Sequence, residues 1–397
     1  MKIKKIRAVD IKFPTPKILS KSRETNWNTY APRVSPLNKY SEFYGPNLSI
    51  PGTDLRQVWV QVIAEDDTWG LGLCDFGEPC AAYIDYFYAP LLEGRDSLAT
   101  ELLNDLMFRA TQKIGYGGID TVAQSGIDLA LWDLKGKLLQ QPVFSLIGGP
   151  VRDSIKLYAT SDDIEWSKEL GFESFKVSNP VHYEDGIKGL DILEDKIGHA
   201  RELIGNSSEL MFNPVMSFNV EFATRVADRL KPFNLRWLEE PLMPNNLEGH
   251  IELKKNITHV PLATGEHHHG RIAFRQLIEN RAVDVIQPDI KWCGGLSEMI
   301  KIYHLAEAAG IITVPHVGAG HPFGQHFSIA MPESPIAEYW MGSDPGIPLE
   351  EIRQIPGMSM PKNGQVKPSN APGFGLEIPE NWITPWDHSR AMKISKS

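Results

Sequence analysis

The sequence predicts an α/β architecture: a (β/α)8 barrel over residues 151–345, preceded by an α+β domain over residues 1–150 and followed by a segment, 346–397, that packs back on that domain. Three observations carry this reading. After Pro150, short apolar segments alternate eight times with amphipathic stretches; buried strands in repeated βα units argue for a parallel sheet, and eight units for a closed barrel. No GxGxxG follows a strand and opens a helix, which disfavours a dinucleotide-binding sheet. Polar residues also recur at the ends of the apolar segments, about one βα unit apart, as residues of a barrel mouth do.

The elements follow in order. IKKIRAVDIKF alternates like a strand, and QVWVQVIAEDDTWGLGLCDF reads as a hairpin turning at Glu65-Asp66-Asp67. Between them, residues 18–55 are polar, rich in Pro and Tyr and without periodicity, which suits a lid or a disordered loop. Helical patterns follow at DSLATELLNDLMFRATQ and TVAQSGIDLALWDLKGKLL, the second closed by QQP and GGP. The eight barrel strands are expected at IKLYATS, FESFKVSN, ELMFNPV, LRWLEEP, VPLATGE, VDVIQPDI, IITVPH and IAEYWM. The intervening helices include NVEFATRVADRL, RIAFRQLIEN, LSEMIKIYHLAEAAG and a short FGQHFSIAMP. PKNGQVKPSNAPGFGLEIP then leaves the barrel.

Composition narrows the function classes. The 397 residues are 42% hydrophobic and 23% charged, ordinary for a globular protein. A net charge of −10 argues against a broad nucleic-acid surface, so a small anion would need a local positive centre such as a metal or a few Lys and Arg. Cys74, Cys80 and Cys293, odd in number and widely spaced, suggest neither a disulfide framework nor a Cys-rich zinc site and fit a reducing compartment. The first residues lack the apolar core of a signal peptide, and no run has the length to cross a bilayer, so a cytoplasmic protein is expected, with neither nucleic acid nor membrane as partner.

The expected strand ends carry Lys176, Asn213, Glu239, Glu266, Asp289, His316 and Glu338. From Asn213 onward they are separated by 26, 27, 23, 27 and 22 residues, so all converge on one mouth. Any one alone has a plain structural explanation, as a helix cap or a buried histidine. The set in register does not. Asn213, Glu239 and Glu266 form an all-oxygen set suited to Mg2+ rather than zinc. Glu240 is expected to point away from them. Asp289 and His316 can pair so that the carboxylate fixes the imidazole tautomer and raises its basicity. A metal beside a strong base suits proton abstraction α to a carboxylate, with the cation stabilising the enediolate.

The run Thr264-Gly-Glu-His-His-His-Gly270 resembles a metal site, but adjacent side chains on a strand or helix do not share a face. Glu266 joins the metal set through its strand. His267 either reaches substrate or supports a neighbour, and His268 and His269 belong to the loop and the next helix start. His321 and His326 are candidates on the loop after the seventh strand.

These motifs resemble the enolase superfamily in its mandelate racemase-like branch, and within it the L-rhamnonate dehydratase-like sugar acid dehydratases. The resemblance spans nearly the whole chain: SGIDLALWDLKGKLLQQPVFSLIGG, NPVMSFNVEFATRVA, LRWLEEP, TGEHHHG, VIQPDIKWCGGLSEM, VPH and PGFGLE. It implies that the first domain caps the barrel mouth, that Glu239 and Glu266 ligate the metal, and that His316 is the base with Asp289 as its partner. Glu338 would be the electrophile or hydrogen-bonding group at the substrate carboxylate, and even-numbered homo-oligomers are implied as well. The family's third-strand ligand is an aspartate, whereas this chain has Asn213, one negative charge fewer. The family's cap commonly supplies a His and an Arg to the sugar acid; in NWNTYAPRVSPLNKY only Asn28 and Arg33 are candidates.

The second strand separates the reactions. Racemases of the branch carry Lys-x-Lys there, and this chain has Lys176-Val-Ser178, one base where they have two. Lys176 either places charge near substrate or pairs with a barrel carboxylate. The expected activity is therefore Mg2+-dependent dehydration of an aldonic acid, L-rhamnonate or a related one, to a 2-keto-3-deoxy acid. A non-catalytic sugar acid-binding relative, or an epimerase or cycloisomerase on a similar acid, stands as the alternative.

Overall fold

The structure, a computed structural model, describes residues 1–43, 55–352 and 354–390. Eight parallel strands form the barrel: β4 (Ile155–Thr160), β5 (Ser174–Val177), β6 (Glu209–Phe212), β7 (Trp237–Glu239), β8 (Leu262–Thr264), β9 (Val285–Ile286), β10 (Ile312–Thr313) and β11 (Ile336–Trp340). Each pairs with its sequence neighbour from β4 to β10, and β11 returns to β4, with Glu338 opposite Tyr158. That first-to-last pairing makes the sheet a barrel. Among the described residues only β10 and β11 lack a strand ladder between them. The helices on the outside include Gly186–Ile204, Val220–Leu230, Gly270–Glu279 and Gly295–Ala308.

Strand alternation explains where the chemistry falls. Tyr158, Met211, Trp237, Ala263, Val285 and Val314 fill the barrel interior, while Leu157, Leu210, Phe212, Leu238, Leu262 and Ile286 join the larger core beneath the helices. Counting on by two from the interior positions reaches Asn213, Glu239, Gln287, Asp289 and His316. The polar residues thus continue the inward-facing rows beyond the apolar plug.

The first domain is a four-stranded antiparallel sheet in the order β13 (Ile383–Pro385), β1 (Ile3–Ile11), β2 (Val58–Ala64), β3 (Trp69–Cys74). The helix Ile119–Leu138 lies across it, buried nearly all round, because its other side meets the barrel helix Gly295–Ala308. The approach to the sheet needs glycine: a Cβ on Gly72 would stand 2.0 Å from the Gly126 carbonyl oxygen. The C-terminal segment is shared between the two units. Its β12 (Gln365–Val366) pairs antiparallel with β4, and β13 then pairs with β1.

The long polar segment after β1 carries more order than its composition suggests. Its described part includes helical turns at Trp27–Tyr30 and Pro36–Lys39, and Trp27 Nε1 donates to the Met341 carbonyl at 2.8 Å beyond β11. Residues 44–54 of the expected lid lie outside the described residues. No helix among the described residues is long and apolar enough to cross a membrane.

Candidate active site at the barrel mouth

The site is built around His316. Its Nδ1–H donates to Asp289 Oδ2 at 2.8 Å, which leaves Nε2 facing Glu266 Oε2 at 3.7 Å. Asp289 is fully buried, and its other oxygen accepts the Lys291 backbone N–H at 2.7 Å. Burial disfavours a charged imidazole, yet Glu266, the Asp289 hydrogen bond and Glu338 outweigh it and push His316 up to about 10. Burial also raises Asp289, but Lys291 and His316 overcome that and hold it at about 2. This is a carboxylate-oriented imidazole whose Nε2 faces the mouth, and the raised value keeps that nitrogen protonated at neutral pH as long as the charge of Glu266 is not neutralised.

Across the mouth Lys176 is buried between two carboxylates, hydrogen-bonded to Glu239 and 2.8 Å from Glu338 Oε1. Of the two readings of Lys176, its contacts are those of the ion pair. Burial opposes its charge, but Glu239 and Glu338 more than compensate and raise its pKa, so it stays an ammonium. Glu338 also accepts from Thr160 Oγ1 and, at 2.8 Å, from the Val317 N–H. Burial would raise Glu338; Lys176 and His316 bring it down to about 2.

The oxygen set is arranged differently from the sequence expectation at two places. Asn213 turns its amide nitrogen to Glu239 Oε1 at 2.8 Å, because its Oδ1 is held by the Val215 N–H at 2.7 Å. Turning the amide over would set two N–H donors against each other, so the oxygen expected at the metal faces its own backbone. Glu239 itself accepts from Lys176, Asn213, Trp237 Nε1 at 2.9 Å and Gln287 Nε2 at 2.7 Å. Glu240, expected to point away, has φ +41, which breaks the alternation at the strand end and brings its buried carboxylate to His267 Nδ1 at 2.9 Å. Burial works against the charge of His267, and Glu240 and Glu266 raise its pKa to about 9. Glu240, Glu266 and His267 have ligand atoms within 4.8 Å of one another. Glu266 belongs to both groupings, and its Oε2 is the carboxylate oxygen that faces His316 Nε2.

Other expected contacts fall elsewhere. Asn28 and Arg33 bond to each other at 3.3 Å, and Arg33 lies 5.8 Å from the ring of Trp340, the last residue of the eighth strand. His268 is buried against Phe274, and His269 precedes the helix Gly270–Glu279. His321 caps the helix Pro322–Ala330 through Nδ1, and His326 accepts from the Phe144 N–H. Burial lowers both to about 3, so they stay neutral.

Sequence reasoning missed Lys291, Trp292 and Asp75. Trp292 places its ring 5.2 Å from His316 and 5.6 Å from His267, and Asp75, just after β3, accepts from both Lys291 and Trp292. For Lys291 and Trp292 the signal was position, two and three residues after Asp289 in the same loop; Asp75, just after a cap strand, gave none.

Both domains of the chain match known families. Residues 53–148 match the mandelate racemase/muconate lactonizing enzyme N-terminal domain, and residues 161–382 match the enolase C-terminal domain-like family. The chain is 37% identical over 365 residues to an L-rhamnonate dehydratase of Saccharopolyspora erythraea, covering 89% of this chain and 92% of that protein. A crystal structure of rhamnonate dehydratase from Gibberella zeae complexed with Mg superposes with a TM-score of 0.86 at 30% identity, covering 100% of this chain and 98% of that one. The 3,6-anhydro-D-galactonate cycloisomerase of Zobellia galactanivorans gives a TM-score of 0.73 at 25% identity, covering 97% and 100%.

Proposed function

Since this chain belongs to the mandelate racemase/muconate lactonizing enzyme family of enolase-like proteins, we propose that it is a Mg2+-dependent hydro-lyase that converts an aldonic acid, L-rhamnonate or a close relative, to its 2-keto-3-deoxy acid. The observation that carries this reading is the His316–Asp289 pair, with one imidazole nitrogen oriented by a buried carboxylate and the other facing the Glu266 side of the mouth. His316 Nε2 takes the proton from C2. The C2–C3 double bond forms as the C3–O bond breaks, and the 3-hydroxyl leaves as water with the proton His316 carries. The enol then becomes the 2-keto acid.

The donor chemistry fits a divalent cation at Glu266, with Glu240 and His267 on one flank and the charge of Glu239 close enough to be felt on the other. Bound there, Mg2+ supplies charge neutralisation for the enediolate oxygens. Asn213 contributes an N–H in this arrangement and holds Glu239 in place. Lys176, pinned between Glu239 and Glu338, gives positive charge without a free lone pair, which favours elimination over two-base racemisation.

The test is formation of a keto acid from L-rhamnonate and a panel of other aldonic acids with Mg2+. His316→Asn should abolish it while leaving circular dichroism unchanged, and turnover near the parent rate would remove His316 from the reaction. No keto acid from any acid, with the parent still binding them, would favour a sugar acid-binding protein.

A further inference from the structure

The loop after the sixth barrel strand holds a buried ammonium beside the base pair. Lys291 Nζ is 3.9 Å from Asp289 Oδ2, the same oxygen that accepts from His316 Nδ1 at 2.8 Å. The ammonium is drawn the other way by Asp75 of the cap, whose Oδ2 lies 2.6 Å from it. That same oxygen accepts Trp292 Nε1–H at 2.7 Å, and the Trp292 ring packs 5.4 Å from Phe76 of the cap. Lys291, Asp289 and Asp75 are all shielded from solvent, with side-chain exposures of 8%, 0% and 14%, so charge in this cluster is weakly screened.

Two carboxylates therefore compete for one ammonium, and one of them arrives only with the cap. We propose that Asp75 is a positioning residue that holds Lys291 away from Asp289, so that docking of the cap leaves the Asp289 oxygen to His316 and readies the base. Without Asp75, Lys291 has one remaining buried anion within reach. A short ammonium contact on Asp289 Oδ2 displaces the imidazole from the oxygen that orients it. The cap closes the site and sets the base by the same contact.

This inference rests on reading His316 and Asp289 as the base pair, and its test reads the pair without substrate. With histidines labelled with nitrogen-15, the hydrogen-bonded Nδ1–H of His316 gives a proton resonance, assigned by its loss in His316→Asn. The expectation is loss of that resonance in Asp75→Asn, its retention in Lys291→Met, and its return in the double variant Asp75→Asn/Lys291→Met. The double variant removes both members of the ion pair and leaves no uncompensated charge from it, so it is expected to fold. Turnover of L-rhamnonate should fall roughly 10²-fold in Asp75→Asn, in proportion to a misplaced base, and recover in the double variant. An Asp75→Asn resonance like the parent's, or a double variant that fails to regain it, overturns the proposal. Absent turnover in the parent counts against the dehydratase reading alone, because the resonance pattern is unaffected by it.

Discussion

At the scale of single residues, charge is balanced inside the mouth rather than at its surface. Lys176 serves two buried carboxylates, so Lys176→Met strands Glu239 and Glu338 together. Removing one partner of a buried ion pair costs about 3–5 kcal/mol. Urea unfolding at neutral pH should show a loss of that size, shrinking at low pH as the carboxylates protonate; an unchanged midpoint would mean that the remaining donors to Glu239 and Glu338 suffice. Asn213 makes a second case. Asn213→Asp keeps an acceptor for the Val215 N–H but replaces the amide donor facing Glu239 with an oxygen. The variant should unfold more easily in chelator, because two carboxylates now face each other, and bind Mg2+ more tightly by calorimetry. Equal Mg2+ affinity in the two proteins would exclude this position from the cation's surroundings. Residue identities at strand ends were legible because spacing and alternation place them. What each touches was not legible, since Glu240 depends on a positive φ and Asn213 on which end of its amide the Val215 N–H selects.

At the scale of elements, the pattern after Pro150 shows its repeats because each buried strand needs an apolar run and each covering helix an apolar stripe. The C-terminal segment and the polar segment before β2 show no such period, since short pairings and side-chain ties fix them instead. One tie is His388, whose Nδ1 lies 2.8 Å from Glu78 and whose Nε2 lies 2.9 Å from Asp85, just after β13 joins the cap sheet. Burial opposes its charge, but the hydrogen bonds to Glu78 and Asp85 outweigh it and raise its pKa above 6.5. A raised folded value means that the stabilisation is fully present below about pH 6.5 and is lost as pH rises through the raised value. Hydrogen-exchange protection in Ile383–Pro385 should therefore weaken across that window, relative to the rest of the cap sheet. His388→Ala should lower protection at acid pH and flatten the dependence. A dependence that survives the substitution would have to come from another group.

At the scale of the molecule, the cap and barrel share one core. Val9, Trp59, Leu71, Leu129 and Trp132 of the cap belong to the same buried cluster as the barrel's Phe175, Leu210 and Leu296. The junction is also polar and specific: Trp132 Nε1 donates to Ser297 Oγ at 2.8 Å, and the Ser297 N–H donates to Asp128 at 2.9 Å. Asp128 is fully buried and its burial raises it to about 7, so the hydrogen bonds at this contact carry weight in holding it. Gly295 opens the barrel helix at this contact with φ +84, and a Cβ there would stand 2.5 Å from the Asp128 Cβ. Gly295→Ala consequently combines a left-handed backbone on a residue with a side chain, worth about 1–3 kcal/mol, with a clash between the two halves. If the halves are one cooperative unit, calorimetry should show a single transition moved to lower temperature, with matching calorimetric and van't Hoff enthalpies. If they are separable, the cap should unfold first in the variant while the barrel melts at the parent temperature. The shared core predicts the first result, because exposing the cap's side of it leaves the barrel's apolar residues without cover.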